Sequence, residues 1–367
     1  MVQVAFYEGN RFMWIYQSLF KRPEDLRFCK CNFKTNHTIR VKFEKLASIL
    51  KSYDIVIFPQ DKGTKPIKQK TWRNILTNAP PHQRRVYATF EGPYKLVNVK
   101  SRKRVSPRGD RFHWSWTFNS RSEFTMPYGY FQRSSNVNSE TSTKEANPVN
   151  WAKGKTSLVA WMSSWVNTNW KRSQFVEKLS QLIPVHKYGK RYKSCPKGSQ
   201  SCENKIREYK FYLALENSCC KEYISEKFWR TLDWGIVPIV VGPSKGDYER
   251  LAPPNSFIFV DDFTSLKALA NYLIEIDKND TLYNEFFRWR TEGKVHQNYP
   301  NYHRKKTHQS PETWFYSCSA VCKVTERYLR EREELVEPAS GFDPHAEWWG
   351  RSCRKCGAQP WFKEFQV

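Results

Sequence analysis

Among the charged residues of this chain, Glu91, Arg172, Glu226 and Lys227 have the positions best suited to chemistry. Glu226 and Lys227 stand at the start of a run in which Phe228, Trp229, Leu232 and Ile236 recur at helical spacing, and Gly235 falls where a C-terminal glycine is expected. The free N–H groups and dipole of a first helical turn favour an anion, and Lys227 adds a full positive charge there. The plainer alternative makes Glu226 an ordinary first-turn charge and Lys227 a solvated one. Arg172 opens a second helix from Lys171, with Phe175, Leu179 and Leu182 on one face, so a phosphate could be held by guanidinium and backbone N–H together. Glu91 follows the strand RRVYAT, Arg84 to Thr89, beside Gly92 and Pro93. A carboxylate at that tip lies in the crevice where α/β proteins bind and react, or else is a solvated loop side chain.

The elements that must position these groups alternate strand and helix. Lys210 to Leu215, Ile236 to Val241 and Phe257 to Val260 are short continuous apolar runs, typical of parallel strands buried on both faces. The polar turn Glu216 to Lys227 lies between the first two, beyond a strand's C-terminal end. Thr156 to Met162 and Ile183 to Tyr188 read as further strands, the latter ended by Gly189. Earlier in the chain, Val2 to Tyr7, Tyr53 to Phe58 and Arg84 to Thr89 are strands, with helices expected at Arg11 to Phe20, around Ala47 to Leu50 and around Trp72 to Leu76. The order is that of two doubly wound α/β domains. Ser134 to Asn150, polar and poor in apolar residues, is the expected linker. The division is then 1–145, 146–330 and a cysteine-bearing tail 331–367 that packs back on the first domain.

The stretch from Tyr209 to Phe263, YKFYLALENSCCKEYISEKFWRTLDWGIVPIVVGPSKGDYERLAPPNSFIFVDDF, resembles the donor-binding signature of the α1,3-fucosyltransferases. That pattern runs YKFYLAFENS, a short gap, DYITEKLWR, then VPVVLGPSRSNYERFLPP and FIHVDDF. Looser similarity extends from about Phe90 to Arg290: FEGP resembles a short glutamate-bearing element, FHWSWTF and FTMPYGY an acceptor-side element, and FFRWR the family's YFRWR. The resemblance implies a GT-B-like pair of Rossmann-like domains facing a cleft. It implies an inverting enzyme moving L-fucose from GDP-fucose to a glycan hydroxyl, O3 of N-acetylglucosamine, with Glu91 as general base and no metal or other cofactor. It further implies Arg172 on the donor pyrophosphate, Asn217, Tyr223, Glu226 and Lys227 in the donor site, and Tyr188, Gly189 and Ser164 beside it. The family's Ser-Asn pair reads Ser164-Trp165 here. Trp114, Trp116 and Tyr128, with Tyr130, are candidates for an acceptor-stacking platform or for packing between strands.

Lys and Arg number 61 against 36 Asp and Glu, a net charge of +25, which calls for anionic partners. The basic residues are spread along the chain, and the densest runs, Lys100 to Arg104 and His303 to Lys306, carry no nucleic-acid motif; phosphate-bearing substrates suit the charge better than nucleic acid. Open alternatives are a same-fold transferase using another nucleotide sugar, and a non-catalytic basic protein binding glycan or nucleic acid. Ten cysteines and the sequons Asn36-His-Thr38 and Asn279-Asp-Thr281 point to an oxidising, secretory lumen. Cys195 and Cys202 are spaced for a local disulfide, and Cys318, Cys322, Cys353 and Cys356 for disulfides or for zinc. No stretch is apolar and long enough to span a membrane, so a Golgi location, implied by the resemblance, requires an N-terminal anchor beyond this sequence. Asp261-Asp262 ends a buried strand and reads as a structural turn.

Overall fold

In the computed structural model, residues 1–7, 29–31, 38–44, 46–60, 67–96, 111–135, 149–163, 168–189, 191–195, 199–298, 318–333 and 341–366 are described. The expected helix Arg11 to Phe20, Ser164, both basic runs and most of the expected linker lie outside them. The chain divides into two units. The first comprises Met1–Pro127, Asn298–Pro300 and Gln309–Cys353; the second comprises Tyr128–Gln297, Asn301–His308 and Arg354–Val367. The division thus falls at Pro127, before the expected boundary at 145, and the tail after 331 is shared between the units.

The first unit is built on a sheet of seven strands: β1 (Val2–Tyr7), β2 (Cys29–Lys30), β3 (Thr38–Glu44), β4 (Ile55–Pro59), β5 (Arg84–Ala88), β6 (Trp114–Thr117) and β7 (Phe124–Thr125). Their spatial order is β2-β3-β1-β4-β5-β6-β7, parallel except for β2 against β3. The apolar runs form strands because both faces are covered: Val4, Phe6, Ile55, Val56, Ile57 and Phe58 are all fully buried. The helix Gln69–Thr77 packs on this sheet through Trp72, whose ring lies 5.0 Å from that of Phe58 and 5.5 Å from that of Phe112. The helix Cys318–Glu333 joins the same unit by the Cys31–Cys322 disulfide, by Tyr328 Oη donating to Asp54 (3.0 Å) and by a buried Arg84–Glu331 ion pair (3.0 Å). Ala47–Ser52 is a 3₁₀ helix, where the sequence suggested a helix around Ala47 to Leu50.

His113 precedes β6; its N–H donates to Arg85 O (2.8 Å), and the Arg85 N–H donates back to His113 Nδ1 (2.9 Å). Burial first, and then the charges of Arg85 and Arg84, push its pKa down to about 3. The unfolded chain takes up this proton near pH 6.5 and the folded chain only near pH 3. The stability contributed by the neutral ring is therefore present above that upper value and is lost as pH falls through the window, at up to about 1.4 kcal/mol per pH unit. Urea unfolding at neutral and mildly acidic pH should show a shallower pH dependence in His113→Asn than in the parent; equal slopes would rule out this contribution.

The second unit holds β8 (Gly129–Arg133), β9 (Ser157–Met162), β10 (Val185–Tyr188), β11 (Tyr209–Leu215), β12 (Cys219–Cys220), β13 (Val237–Val241), β14 (Ile258–Phe259) and β15 (Gly293–Gln297). Five of these form a wholly parallel sheet in the order β10-β9-β11-β13-β14, while β8 pairs antiparallel with β15. From β9 the chain goes one way to β10, then returns to place β11 on the other side of β9. The topological switch point, where such sheets bind ligands, lies between β9 and β11. All seven residues of β11 and all five of β13 are buried. The helix Arg172–Ser180 covers the sheet with Phe175, Val176 and Leu179; Leu182, expected on the same face, lies past the helix end and is 44% exposed.

The helix Glu226–Asp233 buries Phe228, Trp229, Thr231 and Leu232. It ends as the sequence suggested. Gly235, at φ +67°, donates to Leu232 O while Ile236 N donates to Thr231 O, the paired bonds of a left-handed glycine cap.

Cysteine pairing excludes a zinc site built from all four tail cysteines, because three of them are disulfide-bonded. Cys322 is bonded to Cys31 and Cys356 to Cys219, and Cys353 is also disulfide-bonded. Cys195 and Cys202 close the expected local loop. Among the described residues no cysteine is free.

Candidate functional site

The C-terminal end of β11 carries the chain directly into Glu216, which is wholly inaccessible to solvent. A buried carboxylate needs partners, and the next helix supplies them. Ser225, the N-cap of Glu226–Asp233, donates its N–H to Glu216 Oε1 (2.7 Å) and its hydroxyl to Oε2 (2.8 Å). Lys227 Nζ donates to Glu216 Oε2 (3.1 Å) and to Ser225 Oγ (2.7 Å), and lies 3.5 Å from Glu226 Oε1. Burial would lower the Lys227 pKa, but the carboxylates of Glu216 and Glu226 outweigh it and hold the ammonium above its ordinary range. Burial pushes Glu216 up, against the pull of Lys227. Lys227 is thus a fixed cation at a helix N-terminus, with its side chain 14% exposed.

Arg172 lies on the other side of the switch point. It is the first residue of its helix, and its side chain is buried across the sheet's end: Nη1 donates to Leu215 O of β11 (3.0 Å) and Nη2 to Ser163 Oγ just beyond β9 (2.9 Å). The guanidinium lies 6.0 Å from the centre of the Trp161 ring. Burial draws its pKa down from the usual arginine value, while Glu216 pulls it back up; a guanidinium in such a place stays charged. Asn217 follows Glu216, half-buried, and its carbonyl accepts from Asn169 N (3.0 Å). Asn217's side-chain amide makes no hydrogen bond among the described residues.

Gly189 meets the same edge at the end of β10. It takes φ +118°, and a Cβ there would stand 2.1 Å from Ser163 O, so the chain closes against Ser163 only with glycine. Tyr188 is buried, its hydroxyl 2.8 Å from that of Tyr209, which leaves no open ring face for stacking. Tyr223 is also buried, edge-on to Tyr128 at 6.0 Å. The turn around it is pinned by the Cys219–Cys356 disulfide and by an Arg250–Glu222 ion pair (2.6 Å), with Glu222 at φ +63°.

The C-terminal segment braces both halves of this site. Phe362 and Phe365 pack at 5.2 Å from Trp170 and 5.4 Å from Phe175 respectively, and Lys171 N donates to Phe365 O (2.7 Å), immediately before Arg172. Trp170 Nε1 in turn donates to Glu216 O (3.0 Å).

In the first unit, Glu91 lies just past β5, half-buried, its N–H donating to Thr89 Oγ1 (3.0 Å). The expected aromatic platform is corrected at three positions. The rings of Trp114 and Trp116, 0% and 2% exposed, sit edge-on to Phe124 in the core, and a stacking platform needs an accessible face. Tyr128 is likewise buried in the second unit, where Tyr130 is 42% exposed and stacked on His296 at 4.8 Å. Asp261 and Asp262 form a 3₁₀ turn as expected, with Asp262 paired to Lys245 (2.8 Å). Glu216, Ser163 and Ser225 were not singled out from the sequence. The available signal was a Glu one residue past a buried strand and a Ser one residue before a helix.

Two cations thus stand at the switch point of a parallel sheet, one at each of two helix N-termini, the place where α/β sheets bind their ligands. Residues 152–337, just over half of the chain, match the C-terminal domain of glycosyltransferase family 10 (fucosyltransferase), and the protein belongs to that family.

Similar curated proteins include a 4-galactosyl-N-acetylglucosaminide 3-alpha-L-fucosyltransferase of Gorilla gorilla gorilla, 34% identical over 265 residues, which are 71% of this chain and 62% of that protein. A 3-galactosyl-N-acetylglucosaminide 4-alpha-L-fucosyltransferase of Homo sapiens is 38% identical over 216 residues, 58% of this chain and 55% of that protein. The chain therefore spans less than two thirds of the curated relatives it matches. A crystal structure of an alpha1,3-fucosyltransferase with GDP-fucose shares the GT-B-like fold, with a TM-score of 0.52 at 14% identity over 93% of each chain.

Proposed function

We propose that this protein is an inverting fucosyltransferase that moves L-fucose from GDP-fucose to a hydroxyl of a glycan acceptor in α1,3 linkage, O3 of N-acetylglucosamine. The observation that carries the reading is the pair of anchored cations at the β9/β11 switch point, Arg172 bonded to Leu215 O and Ser163 Oγ, and Lys227 bonded to Glu216 and Ser225. These two positive groups stand where a nucleoside diphosphate would meet helix N-termini. As the bond from the anomeric carbon to the β-phosphate oxygen breaks, charge grows on the diphosphate, and preformed cations stabilise it without reorganising. Glu226, half-buried beside Lys227, is placed to meet fucose hydroxyls or the positive charge developing on the ring. Asn217 offers its side-chain amide, Tyr223 backs the turn, and Gly189 lines the nucleotide side. Glu91 takes the proton from the attacking acceptor hydroxyl.

The charge neutralisation that a divalent ion provides in other transferases falls here to Arg172 and Lys227, so no metal is assigned. The disulfides suit an oxidising lumen, and the Golgi is the compartment in which GDP-fucose and glycans meet. Among the described residues no helix is long and apolar enough to cross a membrane. A membrane anchor N-terminal to this sequence belongs to the same proposal.

The test is release of GDP from GDP-fucose in the presence of EDTA against a panel of small glycans. Turnover with any acceptor in EDTA supports the reaction and the metal-free site, and the preferred glycan identifies the acceptor. Saturable thermal protection by GDP-fucose without turnover retains the donor site and removes the tested acceptors. Absence of both overturns the proposal.

A further inference from the structure

The sequon Asn279-Asp-Thr281 has no part in the donor site, and its setting in the fold is specific. Asn279 joins the helix Leu266–Asp277 to the helix Asp280–Glu285, and both Asn279 and Thr281 are exposed. The side chain of Asn279 is already divided between two tasks. Its Oδ1 accepts the N–H of Leu282 (3.1 Å) as the cap of the second helix, which leaves the amide nitrogen facing solvent. A substituent on Nδ2 keeps Oδ1 as an acceptor, so glycosylation and capping are compatible in one side chain.

The neighbouring residues show which end of the sheet this is. Lys210, one residue into β11, donates through Nζ to Asp277 O (2.5 Å) and Asp280 Oδ1 (3.4 Å), and Tyr283 Oη donates to Lys210 O (2.8 Å). Asn279 therefore sits by the N-terminal end of β11, whereas Glu216 and Asn217 leave its C-terminal end; at about 3.3 Å per strand residue the two ends are roughly 20 Å apart. Asn279 thus lies at the opposite end of the sheet from the edge proposed to hold the donor.

We propose that Asn279 carries an N-linked glycan in the mature protein. The inference requires a secretory lumen, for which the disulfides Cys31–Cys322 and Cys219–Cys356 argue; it does not depend on the transferase reading. The co-reactant is a lipid diphosphate-linked oligosaccharide. Nδ2 loses one proton and bonds to the anomeric carbon, and the bond from that carbon to the diphosphate oxygen breaks, the lipid diphosphate leaving with the electron pair.

The test is expression of the chain behind a cleavable secretion signal in a eukaryotic cell. Peptide mass spectrometry follows, after enzymatic deglycosylation in heavy-oxygen water, which converts a formerly glycosylated asparagine to labelled aspartate. Labelled aspartate at 279 is the expected result, and secreted, folded protein with unmodified Asn279 overturns the proposal. Two variants separate glycosylation from folding. Asn279→Asp keeps an N-cap of equal quality and Thr281→Ala leaves Asn279 itself in place; each should lose one glycan's mass without a change in GDP-release rate. Retention of a glycan at 279 in Thr281→Ala would overturn the sequon as its origin.

Discussion

Glu91→Gln is expected to bind GDP-fucose as the parent does and to lose transfer by roughly two to four orders of magnitude, the contribution of a positioned general base. Glutamine matches the shape of the side chain and leaves the Glu91 N–H to Thr89 Oγ1 bond of 3.0 Å untouched, so the end of β5 should be undisturbed. What glutamine cannot do is accept the acceptor's proton. The two readouts separate because the residues proposed to bind the donor lie in the second unit, whereas Glu91 belongs to the first. GDP-fucose protection against heat would be measured beside kcat with the best acceptor. Normal transfer by Glu91→Gln would assign the base to another residue.

Lys227→Met is expected to have the second large effect, through two distinct terms. Loss of a preformed cation on a leaving diphosphate costs roughly a hundredfold or more in turnover and weakens donor binding as well. The second term is stability. Glu216 is wholly buried, and Lys227 Nζ is the cation that meets it at 3.1 Å. Removing one partner of a buried pair costs about 3–5 kcal/mol, because the other charge remains without its counter-ion. Glu216→Gln combined with Lys227→Met removes both charges and keeps an acceptor oxygen for Ser225. The double variant should therefore recover most of the lost stability while remaining inactive. Chemical denaturation and GDP release, measured on both variants, test the two terms independently. Recovery of turnover in the double variant would show that Lys227 acts only by neutralising Glu216, and unchanged GDP-fucose affinity in Lys227→Met would remove it from the donor site.

The coordinates of this site were legible where side-chain patterning is local. Phe228, Trp229 and Leu232 repeat at helical spacing, with Gly235 as the stop, and the helix runs Glu226–Asp233 with that glycine at φ +67°. The continuous apolar runs of β11 and β13 announced strands buried on both faces, and the structure buries every residue of both. Arg172 was placed correctly in a first helical turn. Its burial and its bonds to Leu215 O and Ser163 Oγ were not legible, because they join segments more than forty residues apart or depend on which strands are neighbours. Trp114 and Trp116 show the converse limit. An aromatic in a strand looks the same in sequence whether its face is open or covered, and only the packing of Phe124 against both decides it.

By itself, then, the sequence determined the alternation of strands and helices, the helix starts that carry Arg172, Glu226 and Lys227, and the family signature from Tyr209 to Phe263. Periodicity, capping and turn chemistry act over a few residues, so they survive in a linear reading. The tertiary structure alone decided that Glu216 anchors Lys227 and that β9 and β11 flank the switch point. It also decided the end of the cysteine-bearing tail, expected on the first domain but belonging from Arg354 to the second unit: Cys356 is bonded to Cys219, and Phe362 and Phe365 pack against Trp170 and Phe175 beside Arg172. These contacts span 137 residues in the disulfide alone, and closing such a loop depends on the packing of the whole unit rather than on any local preference.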